Sequence, residues 1–395
     1  MRVNIETQYA CVKNENLRGI NLYTVNLVKS LSQRNRNEYS ITFFDQNKER
    51  GNLNYILNYI GLEALQNIQI YECNKISYRT LHLDEDIIYR TESYNSITGI
   101  DSDIFHFPHY KPIPYKLNGK LVVTIHDLTP ILPKAKYWFT EKFLKDSSRH
   151  LEESLRYLEK HPEHLIITDS IASKNDILSY SGIPEERIFV IPLAHDCVEV
   201  DSAESQFIIK SMKIDGPYLL YLGELDFRKG VVDILDAFKI VKQNFPEIKL
   251  VLAGLLRPST TTIHEKLHNC QYIDDVYLPG YVTNEQKQAL LSEAAIFLFP
   301  SEYEGFGLPV LEAMACGTPV ITSNISSLPE VGGDAVIYVT PKHAEMLAFE
   351  IENLLSSDSL RNNLIKKGLN QASTFSWDKT AKLTEDVYKI AYNIS

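Results

Sequence analysis

Short apolar runs alternate with longer amphipathic stretches through the second half of the chain, and this alternation restricts the fold more than any other feature. Each run has the length and composition of a buried strand, and each intervening stretch is long enough for a helix. The predicted strands are residues 218–222, 249–253, 276–278, 295–299, 319–322 and 336–339. Such alternation predicts a parallel sheet joined by right-handed crossovers, and therefore an α/β domain.

The first half of the chain predicts a second domain of the same class. Strands are predicted at residues 3–8, 40–44, 104–107, 121–125, 165–168 and 188–191. Residues 45–100 are rich in Asn and Tyr, and we expect helices and loops there. A polar stretch, residues 196–215, is predicted to be the hinge, and apolar periodicity predicts a helix over about residues 376–395. A chain of 395 residues is long enough for two domains.

Composition argues against several classes of protein. A net charge of −11 argues against nucleic acid as a partner. The sequence has no run of 18 or more apolar residues, so no membrane-spanning helix is expected. The chain enters a predicted strand directly, without a secretory signal, and its five cysteines lack the spacing of metal ligands. We therefore expect a cytoplasmic protein without structural disulfides or zinc.

Residues 300–319 predict a strand-to-helix turn that carries two carboxylates, Glu304 and Glu312, eight positions apart. Glycines flank Phe306, and a helix predicted from Leu308 to Cys316 follows them. The positive end of a helix and its free N–H groups suit an anionic ligand, and carboxylates accept hydrogen bonds from sugar hydroxyls. The turn therefore suggests a site for a ligand with both phosphate and sugar. The alternative is an ordinary glycine turn with solvated glutamates.

Polar residues also follow other predicted strands. Arg228 and Lys229 form a basic turn, His126 and Asp127 directly follow an apolar run, and Gly19 starts a helix after the first strand. Open α/β sheets bind ligands at the carboxyl ends of their strands. Two cations are suited to offset the charge of a diphosphate. The alternatives are a solvated basic turn and a histidine that caps a strand.

The pattern Pro-Ser, Glu-Gly-Phe-Gly-Leu-Pro, Glu-Ala, Gly-Thr-Pro-Val-Ile, with its E-x7-E spacing, resembles the donor-site signature of family-four retaining glycosyltransferases, the group 1 glycosyltransferases. The resemblance covers the second half of the chain well and the first half in patches. It implies the GT-B fold, which has two Rossmann-like, doubly wound parallel-sheet domains with a cleft between them. It assigns residues 1–195 to the acceptor side, completed by the C-terminal helix, and residues 216–375 to the donor-binding domain.

The resemblance also implies a role for each matching residue. Glu304 would hold hydroxyls of the donor sugar and Glu312 those of the ribose, while Arg228 and Lys229 stabilise the departing diphosphate. His126 would reach the sugar near the reacting carbon. The remaining donor-binding residues are Gly19 at the diphosphate, Tyr281 and Val282 around the base, and the backbone N–H groups of Phe306, Gly307 and Leu308.

Two positions depart from the family pattern. Many members carry arginine directly after the first glycine of the basic turn, where this chain has Glu224, so the arginine role falls to Arg228. Many members have two adjacent glycines in the first loop, where this chain has Arg18 and Gly19. The first loop is therefore expected to be less open.

The implied activity is transfer of a hexosyl group, with retention, from a nucleoside-diphosphate sugar to a glycan or lipid-linked acceptor in surface polysaccharide biosynthesis. Hinge closure would exclude water. No metal or other cofactor is expected. The alternatives are a non-catalytic partner subunit, or a sugar-nucleotide epimerase or phosphorylase on the same fold. The sugar, the base, the acceptor and the oligomeric state are not predicted.

Two other segments have patterns that are also found at functional sites. Residues 134–149 interleave aromatic and basic side chains, which is typical either of a peripheral contact with the inner face of a membrane or of a helix with its aromatic face in the core. Asp101-Ser102-Asp103 is a D-x-D pattern, interpreted as a polar turn before a strand. His106 and His109 are possible metal ligands, but no third ligand clusters with them in the sequence.

Overall fold

The computed structural model describes residues 1–7, 19–34, 37–44, 68–73, 99–110, 113–114, 116–139, 141–198, 201–256 and 260–394. Contacts within the chain divide it into two compact units. The first unit comprises Met1–Leu193 together with Ser376–Ser395, and the second comprises Ala194–Phe375.

The first unit is built on a parallel sheet of seven described strands in the order β3-β2-β1-β4-β5-β6-β7. The strands are β1 (Arg2–Glu6), β2 (Glu38–Phe44), β3 (Ile68–Cys73), β4 (Ile104–Phe107), β5 (Lys120–Thr124), β6 (Leu165–Thr168) and β7 (Ile188–Val190). Every residue of β4 and β6 is buried, as expected of parallel strands that are covered on both faces. Since β1 lies between β2 and β4, the strand order reverses there.

The described helices of this unit cover its sheet. They are α1 (Ile20–Ser32), α2 (Ala135–Trp138), α3 (Glu141–Lys160), α4 (Ile171–Tyr180) and the C-terminal α13 (Trp377–Asn393), with 3₁₀ turns at Thr129–Ile131 and Glu185–Arg187. α13 begins at the capping hydroxyl of Ser376 and packs on α1. Arg34 reinforces this packing, because it donates to the buried carboxylate of Glu385 on α13 at 2.8 Å.

The core of the first unit lies between the sheet and α3 and α4. It includes Phe105, Phe107, Leu121, Val123, Ile125, Leu151, Leu155, Leu158, Ile166, Ile177 and Ile188, all buried. Complete burial of each such side chain contributes about 1.5–3 kcal/mol. This burial stabilises each apolar run as a strand. The strand ends where the apolar run ends, and polar residues follow it there.

The second unit is built on a six-stranded parallel sheet in the order β10-β9-β8-β11-β12-β13. The strands are β8 (Tyr218–Leu222), β9 (Lys249–Ala253), β10 (Val276–Gly280), β11 (Ile296–Phe299), β12 (Val320–Ser323) and β13 (Ile337–Val339). β8 pairs with both β9 and β11, so the strand order reverses at β8. Doubly wound sheets bind ligands at the carboxyl ends of strands at such a point.

Helices surround this second sheet. They are α5 (Ser202–Ser211), α6 (Val231–Val241), α7 (Thr261–His268), α8 (Asn284–Glu293), α9 (Leu308–Ala315), α10 (Leu328–Gly332), α11 (Ala344–Ser356) and α12 (Asp358–Ala372), with a 3₁₀ turn at Ile273–Asp275. α6 and α11 pack together, as do α5 and α8, and α9 packs on α12. Strand and helix alternate from β8 to β13, as the sequence predicts.

The predicted fold class is confirmed, since each unit has a doubly wound parallel sheet. One strand was missed: β3, Ile68–Cys73, lies in the segment predicted to hold helices and loops. It pairs with β2 over six residues, and Gln69 and Glu72 interrupt the continuous apolar run by which the other strands were predicted. Residues 45–67 and 74–98 lie outside the described residues, and so do the loops expected there.

The predicted hinge, residues 196–215, belongs to the second unit and contains α5. The Asp201 carboxylate caps α5 by accepting from the N–H groups of Ala203 and Glu204, and Ser205 and Ile209 are buried. A hinge role for this segment stays a prediction.

Residues 134–149 do not form a single helix. α2 ends when Phe139 adopts an extended conformation, and α3 begins at Glu141. No helix within the described ranges combines the length and apolar composition needed to cross a bilayer. A peripheral membrane contact stays a prediction.

Candidate functional site

A glycine closes the turn that leads from β11 into α9. Gly307 is the N-cap of α9, with φ of 107°, a conformation that L side chains rarely adopt. A Cβ there would lie 2.8 Å from Leu328 Cδ2. Pro309 has no N–H and the Val310 and Leu311 N–H groups donate to the Gly307 carbonyl, so the donors that the turn offers at the start of α9 are the N–H groups of Gly307 and Leu308. Leu308 opens the helix as predicted, and Phe306 is buried with its ring edge-on to Phe375 at 5.9 Å.

Glu304 is buried in this turn, with 8% of its surface exposed. Its Oε1 accepts from Ser301 Oγ at 2.6 Å and from Lys229 Nζ at 2.5 Å. Arg228 Nη1 lies 3.5 Å from the same oxygen. Burial alone would raise the pKa of Glu304, but the two cations and the hydrogen bonds outweigh it and lower that pKa below its ordinary value. Glu304 is therefore held as a carboxylate.

Two serines fix the backbone of the same turn. Ser326 Oγ accepts from Glu304 N–H at 2.9 Å. Ser327 Oγ lies at hydrogen-bond distance from the carbonyls of Glu304 (2.9 Å) and Phe306 (2.8 Å). Nothing in the sequence pattern marked these serines. Their bonds hold the backbone of the turn at Glu304 and Phe306.

The basic residues reach Glu304 because their turn lies against the end of β11. β8 and β11 are neighbours, so the turns that follow them are adjacent. Gly230 has φ of 74°, and a Cβ there would lie 2.4 Å from the carbonyl oxygen of Pro300. Arg228 donates to the Tyr303 carbonyl at 2.5 Å, and the Arg228 carbonyl accepts from Glu302 N–H at 2.7 Å. The structure thus brings Arg228, Lys229 and Glu304 together.

Glu312 lies on α9 with 7% of its surface exposed, and it pairs with a residue that the sequence analysis missed. Lys287 on α8 donates from Nζ to Glu312 Oε1 at 2.5 Å. Burial would lower the pKa of Lys287, but the Glu312 carboxylate outweighs it and raises that pKa. Lys287 was not predicted because it stands among polar residues that resemble a solvated helix face.

Tyr281 and Val282 follow β10 directly and precede α8. Thr283 caps α8 in a capping box with Gln286. The same short segment therefore carries the two residues predicted at the base and, one turn into the helix, Lys287. These residues and Glu312 belong to the second unit.

His126 belongs to the first unit, at the carboxyl end of β5 as predicted. Its Nδ1 lies 2.7 Å from Asp169 Oδ2 and its Nε2 lies 3.0 Å from the Pro108 carbonyl. The ring of Tyr23 packs edge-on against the His126 ring, with centroids 5.0 Å apart. Asp169 was not predicted, although it follows β6 just as His126 follows β5, and the same signal could have found it.

Gly19 is the N-cap of α1, with φ of 49° and open space where a Cβ would lie. It lies one turn before Tyr23, whose N–H donates to the Gly19 carbonyl at 3.0 Å. Tyr23 of α1 thus contacts both residues, because its N–H bonds to Gly19 and its ring packs on His126. Arg18 lies outside the described residues.

Among the described residues, one group could offer metal ligands: His161, Glu163 and His164, whose ligand atoms lie within 4.8 Å of one another. Leu121 N–H donates to His164 Nδ1 at 3.2 Å, so the neutral ring carries its proton on Nε2. That nitrogen is the one facing Glu163 Oε1, at 3.7 Å. A metal ligand must be deprotonated, so this geometry fits a hydrogen-bonded cluster and not a metal centre.

His106 also has both nitrogens engaged, with Tyr388 Oη at 2.6 Å and Thr124 Oγ1 at 2.8 Å. Burial lowers its pKa to about 3. His109 stacks on Tyr110. Asp101 and Asp103 pair with Arg2 in a turn before β4, as predicted. The expectation that no metal takes part in the function stays a prediction.

Comparison with known proteins places these features in a family. Residues 204–371 match the family model described as "Glycosyl transferases group 1". The O-antigen chain mannosyltransferase B of Escherichia coli is 31% identical over 294 residues, covering 73% of this chain and 74% of the relative. The MMP alpha-(1->4)-mannosyltransferase of Mycolicibacterium hassiacum is 31% identical, covering 70% of this chain and 66% of the relative.

The solved structures agree on the fold. The crystal structure of Anabaena Alr3699/HepE in complex with UDP and glucose superposes with a TM-score of 0.72 and 16% identity. The match covers 99% of this chain and 100% of that chain. Both predicted glutamates, the basic pair and the segment predicted to frame the base lie within the range matched by the family model.

Proposed function

Because the chain belongs to the group 1 glycosyltransferases, we propose that it transfers a mannosyl group, with retention, from a nucleoside-diphosphate sugar to a glycan or lipid-linked acceptor. The names of the two relatives support mannose as the sugar. The E. coli relative's place in O-antigen chains supports an acceptor that belongs to a surface polysaccharide.

One observation carries the proposal: two cations share one carboxylate at the switch point of the second sheet. Lys229 Nζ and Arg228 Nη1 lie 2.5 and 3.5 Å from Glu304 Oε1. The three charges sum to one surplus positive charge, and all three side chains are largely shielded from solvent. A diphosphate suits that surplus, because ionic hydrogen bonds strengthen where water is scarce.

The remaining parts of the donor find complementary groups in the same unit. Glu304, partly released when a diphosphate takes over Lys229, accepts from hydroxyls of the transferred sugar. The free N–H groups at the start of α9 bind its oxygens or the phosphate. Glu312 binds the ribose through the oxygen that Lys287 does not occupy, and Tyr281 and Val282 frame the base.

The proposed step is a front-face substitution. The bond between the anomeric carbon and the phosphate oxygen breaks, and a bond from that carbon to the acceptor oxygen forms on the same face. The acceptor's proton passes to the leaving phosphate. Arg228 and Lys229 stabilise the charge that develops on the diphosphate, which takes the place of a metal ion. Glu304 binds the sugar and is not a covalent nucleophile, since no second carboxylate partners it in the described part of the site.

The test is a reaction of the purified protein with a panel of GDP-, UDP-, dTDP- and ADP-sugars and a mannose-terminated acceptor, with and without EDTA. The proposal expects a product with the same anomeric configuration as the donor, read from the one-bond ¹³C–¹H coupling at the anomeric carbon. EDTA should leave the rate unchanged. An inverted product would overturn the retaining mechanism, and loss of rate in EDTA would overturn the metal-independent one.

A thermal shift with the same panel separates binding from turnover. A ligand at about 100 times its Kd stabilises the protein by about 2.7 kcal/mol. A selective shift without turnover would favour a non-catalytic subunit. An altered sugar nucleotide formed without acceptor would favour an epimerase, and a reaction that consumes inorganic phosphate would favour a phosphorylase.

A further inference from the structure

His126 is held between the ends of three neighbouring strands of the first sheet. β4, β5 and β6 are adjacent and parallel, and the residues that follow them are Pro108, His126 and Asp169 in turn. The His126 ring therefore bridges a backbone carbonyl on one side and a carboxylate on the other. Ser173 Oγ also donates to the His126 carbonyl at 2.9 Å, which fixes the backbone below the ring.

The partners of the ring determine where its protons lie. The Pro108 oxygen is a carbonyl and can only accept, so the Nε2 that lies 3.0 Å away carries a proton. An ionised Asp169 can likewise only accept, so the Nδ1 that lies 2.7 Å from its Oδ2 also carries one. A ring that donates from both nitrogens is an imidazolium cation.

Burial raises the pKa of Asp169, and the contact with His126 opposes that rise, so the carboxylate depends on a cation beside it to stay ionised. Asp169 is 3% exposed, and within the described residues its Oδ1 has no hydrogen-bond partner. A buried carboxylate of this kind is costly without a cation beside it. His126 supplies that cation, and its short bond to Oδ2 has the length of a charge-assisted hydrogen bond.

Taken together, the groups around the ring favour the protonated form of His126. Burial opposes protonation of His126, but Asp169 on one side, the Asp127 carboxylate and the Pro108 carbonyl outweigh it and raise the pKa of His126. Tyr23, from α1, meets the ring with its edge and stays neutral, because burial raises the pKa of that phenol. His106, from β4, is neutral because burial lowers its pKa to about 3.

We propose that Asp169 is a positioning residue whose carboxylate keeps both ring nitrogens of His126 protonated, so that His126 acts in the transfer as a hydrogen-bond donor to the sugar and not as a base. This rests on the proposed glycosyl transfer. The Nδ1 proton is committed to Asp169, so the Nε2 proton is the one that a sugar oxygen shares with Pro108. The acceptor's proton then goes to the leaving phosphate, since His126 has no free lone pair.

The direct test needs no substrate. Ring nitrogens of ¹⁵N-histidine-labelled protein are observed by long-range ¹H–¹⁵N NMR at about pH 7.5, and His126→Asn assigns the His126 signals. The expected wild-type result is two protonated ring nitrogens, and Asp169→Asn should convert the ring to the neutral form with one. A wild-type His126 with one unprotonated nitrogen at this pH would overturn the proposal, whether or not Asp169→Asn folds.

Kinetics then test whether the pair matters for the reaction. Asp169→Asn should lower kcat about 10- to 100-fold, the loss expected for one charge-assisted hydrogen bond, with the Kd for nucleoside diphosphate changed less than about threefold. Asp169→Glu, which keeps the charge, should restore part of the rate. Equal losses in Asn and Glu variants with unchanged ring protonation would overturn the positioning role. Failure of every sugar nucleotide to react would count against the proposed function, while the NMR result stands by itself.

Discussion

The two units present different charges at the carboxyl ends of the parallel strands in two similar sheets. In the second unit, Arg228 and Lys229 share the carboxylate of Glu304, which leaves a surplus positive charge where the strand order reverses. In the first unit, His126 pairs with the single carboxylate of Asp169, so no surplus positive charge remains in that pair.

The doubly wound sheet therefore determines where a site lies but not which ligand it binds. Both sheets place polar residues after buried strands, because parallel strands are apolar along their length and end at one edge. The residues at that edge decide what binds. We infer that the second unit holds the anionic part of the donor, while the first unit supplies an oriented hydrogen-bond donor.

The largest expected effect comes from removing the surplus charge. Lys229→Ala should lower kcat about 10²–10³-fold, the range for loss of one electrostatic stabiliser of a leaving group. Steady-state kinetics with a saturating acceptor measure the effect. Lys239→Ala, which removes an exposed lysine from the adjoining α6, is the matched control and should change the rate less than twofold. Undiminished turnover in Lys229→Ala would contradict the assignment of the diphosphate to the second unit.

The Lys287–Glu312 pair of the second unit resembles the His126–Asp169 pair of the first, because in each pair one cation and one carboxylate cancel. Glu312→Ala should weaken donor binding about 10- to 100-fold through loss of the ribose hydrogen bonds. Lys287→Met should weaken it less, because it removes only the group that orients Glu312.

A double-mutant cycle by isothermal titration measures the coupling of these two residues. The double variant should bind the donor no more weakly than Glu312→Ala alone. Additive losses would mean that Lys287 contacts the donor independently of Glu312.

Alanine substitution at the glycine N-caps of α9 and α1 measures the backbone strain at the two turns. Gly307→Ala should destabilise the protein by about 1–3 kcal/mol, since φ is 107° and the new Cβ meets Leu328 at 2.8 Å. Gly19→Ala has open space around its Cβ, but φ of 49° with ψ of −114° lies outside the regions open to L side chains, so backbone strain alone should cost about 1–3 kcal/mol. Urea unfolding of both variants measures the difference. A Gly307→Ala protein as stable as wild type would mean that both the backbone strain and the contact with Leu328 relax freely.

The smallest effect is a pH dependence of stability. The pKa of Glu304 is lowered in the folded protein, so the stability contributed by its ionised form is present above the unfolded pKa of about 4.3. That contribution is lost as the pH falls from there through the folded pKa. The advantage of wild type over Glu304→Gln in free energy of unfolding should therefore be constant near pH 7 and shrink below about pH 4.3. An advantage that grows on acidification would contradict the pairing with Lys229.

Most of the fold could be predicted from the sequence, because buried parallel strands are continuous apolar runs. Gly230 and Gly307 likewise mark backbone conformations that few other residues adopt. The strand β3 was missed because Gln69 and Glu72 interrupt its apolar run, and its pairing with β2 is a long-range property.

The candidate site was predictable where a residue follows its own strand, as with His126, Lys229 and Glu304. It was not predictable where the partner comes from elsewhere in the chain. Lys287 meets Glu312 across 25 positions, and Ser326 meets Glu304 across 22. Such bonds depend on how helices pack on the sheet, and a lysine or serine in a polar stretch carries no local mark of its partner.

The most direct measurement is isothermal titration of nucleoside diphosphates (GDP, UDP, dTDP and ADP) into wild type, Lys229→Ala and His126→Ala. The account predicts that one of these ligands binds wild type, that Lys229→Ala weakens this binding about 10- to 100-fold, and that His126→Ala changes it less than about threefold. Binding that survives in Lys229→Ala but is lost in His126→Ala would place the diphosphate in the first unit and contradict the account.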